Sequence, residues 1–323
     1  MRKLPRVSDP ATPLAAELVA IGRAAPGGSP DAEPVTLYDR HGVLVIRVGD
    51  VVVKAHQADR DNGPLLAVRM AVAARSPGLF LPPLDQPRHV LGRVVTVWPY
   101  GEPVSPDAPP WWEAGRLLAR LHLTGLSGER AASLPGAEPD GPHPTGALPR
   151  WERPVRASQV VARLDVDGRE EQVILRAFGT LPAWVRGNAE VPLARNVALV
   201  HGDWHLGQLV ALPDGTWRLI DVEDLGVGDP AWDLARPAAL FSAGVLPGED
   251  WARFLDGYGT GPAMPADGDL WRVLDVPART LAIQIAATCV ISARADRRPL
   301  DGFESALVDT CSRITGSGRS PGE

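Results

Sequence analysis

Val200–Ala235 reads VHGDWHLGQLVALPDGTWRLIDVEDLGVGDPAWDLA and sets two aspartates, Asp203 and Asp221, on either side of an expected hairpin. The apolar run Val197-Ala198-Leu199-Val200 precedes His201-Gly202-Asp203, so a strand end should deliver Asp203 into a tight loop where a carboxylate can face a cleft. Gln208 follows five residues on. A second expected strand, Trp217–Ile220, comes after the turn Pro213-Asp214-Gly215 and carries Asp221 at its exit; if the two strands pair, Asp221 falls near Asp203 and Gln208. Two carboxylates and an amide oxygen suit a hard cation such as Mg²⁺, which takes one or two protein carboxylates and completes its shell with phosphate and water. One carboxylate is then left to accept a hydroxyl proton. The pattern points to phosphoryl transfer.

The spacing resembles the protein-kinase catalytic loop, where an Asp is followed five residues later by a metal-binding Asn and a second metal-binding Asp comes after a hairpin. In detail it is similar to the aminoglycoside phosphotransferase and choline kinase-like family, with its HGDxxxxN, ID and GDPxxDLA blocks; here these are His201–Gln208, Ile220-Asp221 and Gly228–Ala235. The resemblance implies an α+β, two-lobed protein-kinase-like fold with a small antiparallel-sheet N-lobe and a mainly helical C-lobe. It also implies ATP or GTP as donor, Mg²⁺ as metal, and as acceptor a small-molecule hydroxyl on an aminoglycoside-like compound or another amino or sugar alcohol. Asp203 would accept the hydroxyl proton or orient the hydroxyl, and Asp221 with Gln208 would hold Mg²⁺. Gln208 stands where the family usually has Asn: the amide oxygen is kept, but the extra methylene shifts the ion or loosens it. The alternative is a catalytically inactive kinase-like protein that binds a nucleotide or metabolite. Asp229 and Asp233 are expected to cap or brace backbone, since Pro230 favours a helix start there. Glu223 and Asp224 stand close enough to contact a cation or an amino sugar, ranked below the metal set.

Upstream, Leu14–Ala24 reads as a helix broken by Gly27-Gly28-Ser29-Pro30, followed by strand-like runs at Val35–Tyr38, Val43–Val48 and Val51–Ala55. Alternation in the third run puts Val51, Val53 and Ala55 on one face and Val52 with Lys54 on the other, so Lys54 faces a cleft or solvent. The resemblance assigns Lys54 to the α- and β-phosphates. The family pairs this lysine with an acid on the next helix, yet Pro64–Arg75 carries only Arg69 and Arg75 as charges. Its partner is then Asp59 or Asp61, or is missing. The turn Asp39–Gly42 holds a single glycine where a Gly-rich phosphate loop is usual. Arg93–Trp98 reads as the last N-lobe strand, leading into Pro99-Tyr100-Gly101-Glu102-Pro103 as the implied hinge. Pro99 has no N–H, so donation to an adenine edge falls to Tyr100 or its neighbour, with Trp98 and Tyr100 as candidates to sandwich the base.

Pro109-Pro110 open a helix in which Trp111, Ala114, Leu118 and Leu121 recur at helical spacing, ending near Gly125. Ser127–Pro154, crowded with Pro and Gly, is a long loop, an insertion or a lid. Helical patterns return across Ala157–Phe178, Trp251–Tyr258, Leu270–Ile291 and Phe303–Ile314. Late helices help to build the acceptor pocket in the resembled family, which makes Asp256, Tyr258, Trp271, Asp275 and Gln284 candidates to face the substrate. The division expected is an N-lobe of 1–98 and a hinge with C-lobe of 99–323. A net charge of −6 without a long basic tract argues against a nucleic-acid or anionic-membrane partner and favours a cationic or neutral substrate. Two cysteines, Cys289 and Cys311, provide neither a disulfide framework nor a zinc set. Pro5, Asp9, Pro10, Pro13 and Glu17 interrupt any signal-peptide apolar core, and Leu281–Ile291 is too short to span a bilayer, so a buried helix in a cytoplasmic protein is expected.

Overall fold

The computed structural model describes residues 12–58, 63–124, 148–150, 153–194 and 196–316. In chain order the elements are α1 (Pro13–Ala24), β1 (Pro34–Arg40), β2 (Val43–Val48), β3 (Val51–Ala55), α2 (Gly63–Ala74), β4 (Arg88–Val90), β5 (Arg93–Pro99), β6 (Glu102–Pro103) and α3 (Trp111–Leu123). There follow α4 (Arg153–Val161), α5 (Arg169–Gly179), β7 (Ala198–Val200), β8 (Leu209–Ala211), β9 (Trp217–Leu219), β10 (Gly226–Gly228), α6 (Ala231–Ser242), α7 (Gly248–Tyr258), α8 (Trp271–Ala295) and α9 (Gly302–Gly316). Asp59, Asp61 and all of Ser127–Pro154 before Leu148 lie outside the described residues; Arg153 and Pro154 open α4.

The chain forms two compact units. One holds the described residues within Met1–Pro109, Glu138–Leu148 and Gly207–Glu223, the other those within Pro110–Ala137, Pro149–Leu206 and Asp224–Glu323. Gly207–Glu223, which the sequence division put with residues 99–323, therefore groups by contacts with the N-terminal residues.

In the first unit an antiparallel sheet runs in the order β1-β2-β3-β5-β4, so β4 rather than β5 forms the far edge. The turns between β1, β2 and β3 carry Gly42 and Gly49 at positive φ, as tight hairpins require. Helix α1 packs on one face, where Val48, Val51, Val53, Ala55, Val95 and Val97 are fully buried with Leu18. Gly22 lets the helix approach, since a Cβ there would stand 2.9 Å from a Val48 methyl. The expected period-two alternation holds: Lys54 points to the face opposite α1. A smaller sheet in the order β6-β8-β9 completes this unit.

The second unit is mainly helical, with the strand pair β7–β10. Its core gathers Ile174, Ala177, Val185, Ile283, Ala286, Ala287, Val290, Leu307 and Cys311. Helices α3 and α7 cross at backbone contact: a Cβ on Gly115 would lie 2.1 Å from Phe254 O and one on Gly257 2.0 Å from Trp112 O. The apolar run expected as a short buried helix is the C-terminal part of α8, which has 25 residues. By length and composition α8 could cross a membrane, but most of its apolar window is buried inside the protein, as in a core helix.

Candidate active site

In the first unit, the sheet face opposite α1 carries one group of candidate residues. Lys54 on β3 pairs in register with Thr96 on β5, and Val52 with Trp98, so Lys54, Thr96 and Trp98 share that face. His56, two residues beyond Lys54, continues it. A chain of contacts follows: Trp98 Nε1 donates to Thr96 Oγ1 (3.0 Å), His56 Nε2 meets the same hydroxyl (2.9 Å), and His56 Nδ1 meets Glu223 Oε1 (2.9 Å). Lys54 Nζ completes it, ion-paired with Glu223 and, at 3.1 Å, with Asp221 Oδ1. Burial alone would push the Lys54 ammonium down, but the charges of Asp221 and Glu223 outweigh it and hold the group above its ordinary value. Burial likewise opposes ionisation of Glu223, whose carboxyl is nevertheless held well below the usual range by the His56 hydrogen bond and the Lys54 charge.

The acid facing Lys54 is thus neither on α2 nor absent. It comes from Asp221 and, two residues later, Glu223. Helix α2 contributes the opposite charge: Arg69, buried, donates its guanidinium to the Glu223 backbone oxygen. Glu223, read from sequence as a contact for a cationic substrate, is already engaged by Lys54 and His56.

Strand pairing differs from the sequence expectation. Ala198–Val200 pairs with Gly226–Gly228, and the hairpin partner of Trp217–Leu219 is Leu209–Ala211. A short turn explains this: Gly215 N donates to Leu212 O, and Asp214 Oδ1 accepts from Thr216 N, closing the loop within a few residues of each strand. The hairpin places its two ends side by side, with Ile220 N donating to Gln208 O (2.9 Å) and the Gln208 amide 3.5 Å from Asp221 Oδ2. Asp203 belongs to the other unit. Asp221 sits in the left-handed region at φ 62°, which Asp and Asn tolerate better than other non-glycine residues. Among the described residues no group of three His, Cys, Asp or Glu side chains could hold a metal. One carboxylate beside one amide nonetheless fits Mg²⁺, whose remaining ligands in such sites are phosphate and water oxygens; a half-turn of the Gln208 amide presents Oε1 in place of the NH₂.

In Pro99–Pro103, the segment expected as a hinge, Tyr100 N donates to Asp50 O (2.7 Å), and the Arg47 guanidinium lies over the Tyr100 ring, 3.4 Å from its centroid. The Tyr100 N–H and that ring face are therefore already used within the sheet, and the next N–H along is that of Gly101. Trp98, half-buried, stays anchored through its indole N–H to Thr96.

The second unit holds Asp203. Strand β7 ends at Val200, and Gly202 at φ 85° turns the chain into the loop that presents Asp203. Asp233 on α6 fixes this loop: its carboxylate accepts from His201 N (2.6 Å) and Gly202 N (2.9 Å). His122 on α3 supports Asp233 at 3.1 Å and contacts Tyr258 OH at 2.7 Å, which in turn accepts from Ala263 N. Asp233 thus braces backbone, and Asp229 caps α6 by accepting from Ala231 N (2.9 Å). Replacing Asp233 with Ala strands two backbone donors and a histidine in a buried place. Asp233→Ala should therefore cost on the order of 3 kcal/mol in urea unfolding; a loss under about 1 kcal/mol would refute this bracing role.

Asp203 Oδ1 accepts from Arg236 Nη2 (3.0 Å), one helical turn beyond Asp233 on α6. Asp224, in the turn before β10, is ion-paired with Arg156 of α4. Neither arginine was singled out from sequence. The signal for Arg236 was its i+3 spacing from Asp233, which puts both on one side of α6; Arg156 carried none. Of the acceptor-pocket candidates, Asp256 accepts from Trp112 Nε1 (3.0 Å) and Tyr258 is buried in the His122 network. Trp271 and Asp275 line a cavity of about 260 Å³ with Ser242, Arg279 and Thr310, where Arg279 pairs with Asp275 (3.2 Å). Gln284 is half-buried, with no hydrogen bond to its Oε1 among the described residues.

No curated protein matches the chain by sequence. Solved structures match its fold over nearly the whole length. A choline/ethanolamine kinase family protein from Mesorhizobium loti aligns over 95% of this chain and 96% of that one at 19% identity (TM-score 0.57). The amicoumacin kinase hAmiN, in complex with AMP-PNP, Ca²⁺ and Ami, covers 95% of each at 15% identity (TM-score 0.65). A microcompartment-associated aminopropanol kinase covers 94% of this chain and 98% of that one at 18% identity (TM-score 0.54). At such identities the likeness speaks for the α+β, protein-kinase-like fold alone. The sequence of residues 20–275, which spans the lysine strand, the HGD loop and the Asp221 hairpin, matches the phosphotransferase enzyme family itself, and to that family the chain belongs.

Proposed function

We propose that the protein transfers the γ-phosphoryl group of ATP, or of GTP, to a hydroxyl of a small molecule. The observation that carries this reading is Lys54 held 3.1 Å from Asp221, with Gln208 delivered beside that carboxylate by the hairpin. Lys54 would engage the α- and β-phosphates, and Asp221 with Gln208 would hold Mg²⁺, which offsets charge on the phosphate oxygens when bound. Asp203 would orient the acceptor hydroxyl and take its proton as that oxygen bonds to the γ-phosphorus and the bond to the β-phosphate oxygen breaks, releasing ADP. Arg236 keeps the Asp203 carboxylate in place. Trp98 would lie along the base, and hinge donation passes from Tyr100, whose N–H is engaged, to Gly101.

The test is a mass-shift screen with Mg·ATP against aminoglycosides, amino alcohols, sugars and nucleosides. At least one compound should gain a single phosphate. Mg·ATP binding by calorimetry with neither hydrolysis nor transfer across the panel would instead support the inactive nucleotide-binding protein.

Gln208 gives a sharper test. Gln208→Asn keeps the amide oxygen but shortens its reach by a methylene against a Mg–O distance of about 2.1 Å, so partial activity with a raised Mg²⁺ requirement is expected. Gln208→Leu removes the oxygen and should lose far more, with extra Mg²⁺ restoring only part. A Gln208→Leu protein matching wild type at low Mg²⁺ would make Gln208 a packing residue.

A further inference from the structure

We infer that the ligand bound at the Asp203 end of the second unit carries no net positive charge: a neutral or acidic polyol, not a polyamine. The inference rests on the phosphotransferase reading for the ligand's role as acceptor, but not for its charge.

Strands β7 and β10 are antiparallel with Gly226 opposite Val200, so the residues just after β7 and just before β10 emerge at the same end of the pair. Those residues include Asp203 and Asp224. They are two of the carboxylates that could attract a cationic acceptor at that end, and both are ion-paired within the chain. Arg236 on α6 holds Asp203 and Arg156 on α4 holds Asp224, with the four side chains between 17% and 35% exposed. Partly buried pairs anchored on two helices are screened less by salt and are harder to exchange than surface pairs. An incoming ammonium would have to displace a guanidinium while lying beside it, and juxtaposed like charges cost affinity. The guanidinium groups offer the complementary chemistry. Each has five N–H donors and no acceptor. Hydroxyl and carboxylate oxygens match such donors; ammonium groups do not.

Binding tests this without turnover. Kanamycin, a polyamine, is titrated calorimetrically into wild type, Arg156→Gln and Arg156→Lys at low and moderate salt. Wild type should bind more weakly than about 1 mM. Arg156→Gln, which uncovers Asp224, should bind about tenfold more tightly with an affinity that falls as salt rises, while Arg156→Lys should stay near wild type. Micromolar kanamycin binding by wild type overturns the inference whether or not the variants fold, and so does an Arg156→Gln protein that folds without gaining affinity. Transfer assays separate the two readings. Phosphate added to glucose, xylitol or gluconate but not to kanamycin is the expected result. Phosphate added to kanamycin sinks the charge inference and upholds the phosphotransferase, whereas the expected kanamycin affinities without transfer to any compound uphold the charge inference and count against the phosphotransferase.

Discussion

Asp203→Asn is expected to lower phosphate transfer by about two or more orders of magnitude, the usual weight of a positioned acid–base group, while leaving fold and nucleotide affinity near wild type. The structure makes this a clean experiment. Asp203 is not a core residue, and its loop is held by the backbone bonds from His201 and Gly202 to Asp233, which the substitution leaves alone. The isosteric amide still offers an oxygen to Arg236, so geometry is kept and only the proton-accepting charge is removed. Single-turnover transfer and calorimetric Mg·ATP binding, measured side by side, separate the two effects. Turnover within roughly threefold of wild type would sink the role assigned to Asp203.

Asp221→Asn should abolish the Mg²⁺-dependent part of ATP affinity, because the carboxylate is the anionic anchor available to the ion beside Gln208. Asn is the right substitute because the position has φ 62°, where Ala would add strain of about 1–2 kcal/mol and confuse loss of a ligand with loss of a loop. Lys54 keeps Glu223 as a partner, so the apo protein should unfold close to the wild-type midpoint. ATP titrations with Mg²⁺ and with EDTA read the difference. Equal Mg·ATP affinity in variant and wild type would reject Asp221 as a metal ligand.

The fold was legible where short-range rules are strong. Alternation in Val51–Ala55 gave the correct face for Lys54 because a buried valine row cannot be rotated to solvent without losing its packing against α1. Tight turns at Gly42 and Gly49 marked the hairpins, and helical spacing from Trp111 to Leu121 marked α3. What failed was the choice of strand partners. The run before His201 and the run before Asp221 both look like strands, and sequence alone paired them with each other. Of the actual partners, Gly226–Gly228 is two glycines around one valine and carries no strand signal of its own, and Leu209–Ala211 follows directly on the loop that holds Gln208. In the candidate site, the motif residues could be singled out because the types that suit such chemistry are few. Their partners were not: Lys54 finds Glu223 far along the chain, in the Ile220–Asp224 segment rather than on the following helix, and only the folded chain brings the two together. His56 could have been found, since it shares the period-two face of Lys54; Arg156 could not.

Helices α3 and α7 touch through Gly115 and Gly257, and each glycine faces a backbone oxygen at a distance no methyl group could occupy. The same two helices carry His122 and Tyr258, the hydrogen-bonded pair beneath Asp233 and hence beneath the HGD loop. A methyl at either glycine would wedge the helices apart and pull this support away from Asp233. A side chain at Gly115 or Gly257 should therefore damage the HGD loop from a distance, and such variants would reveal themselves in a mutational scan by reduced protein abundance.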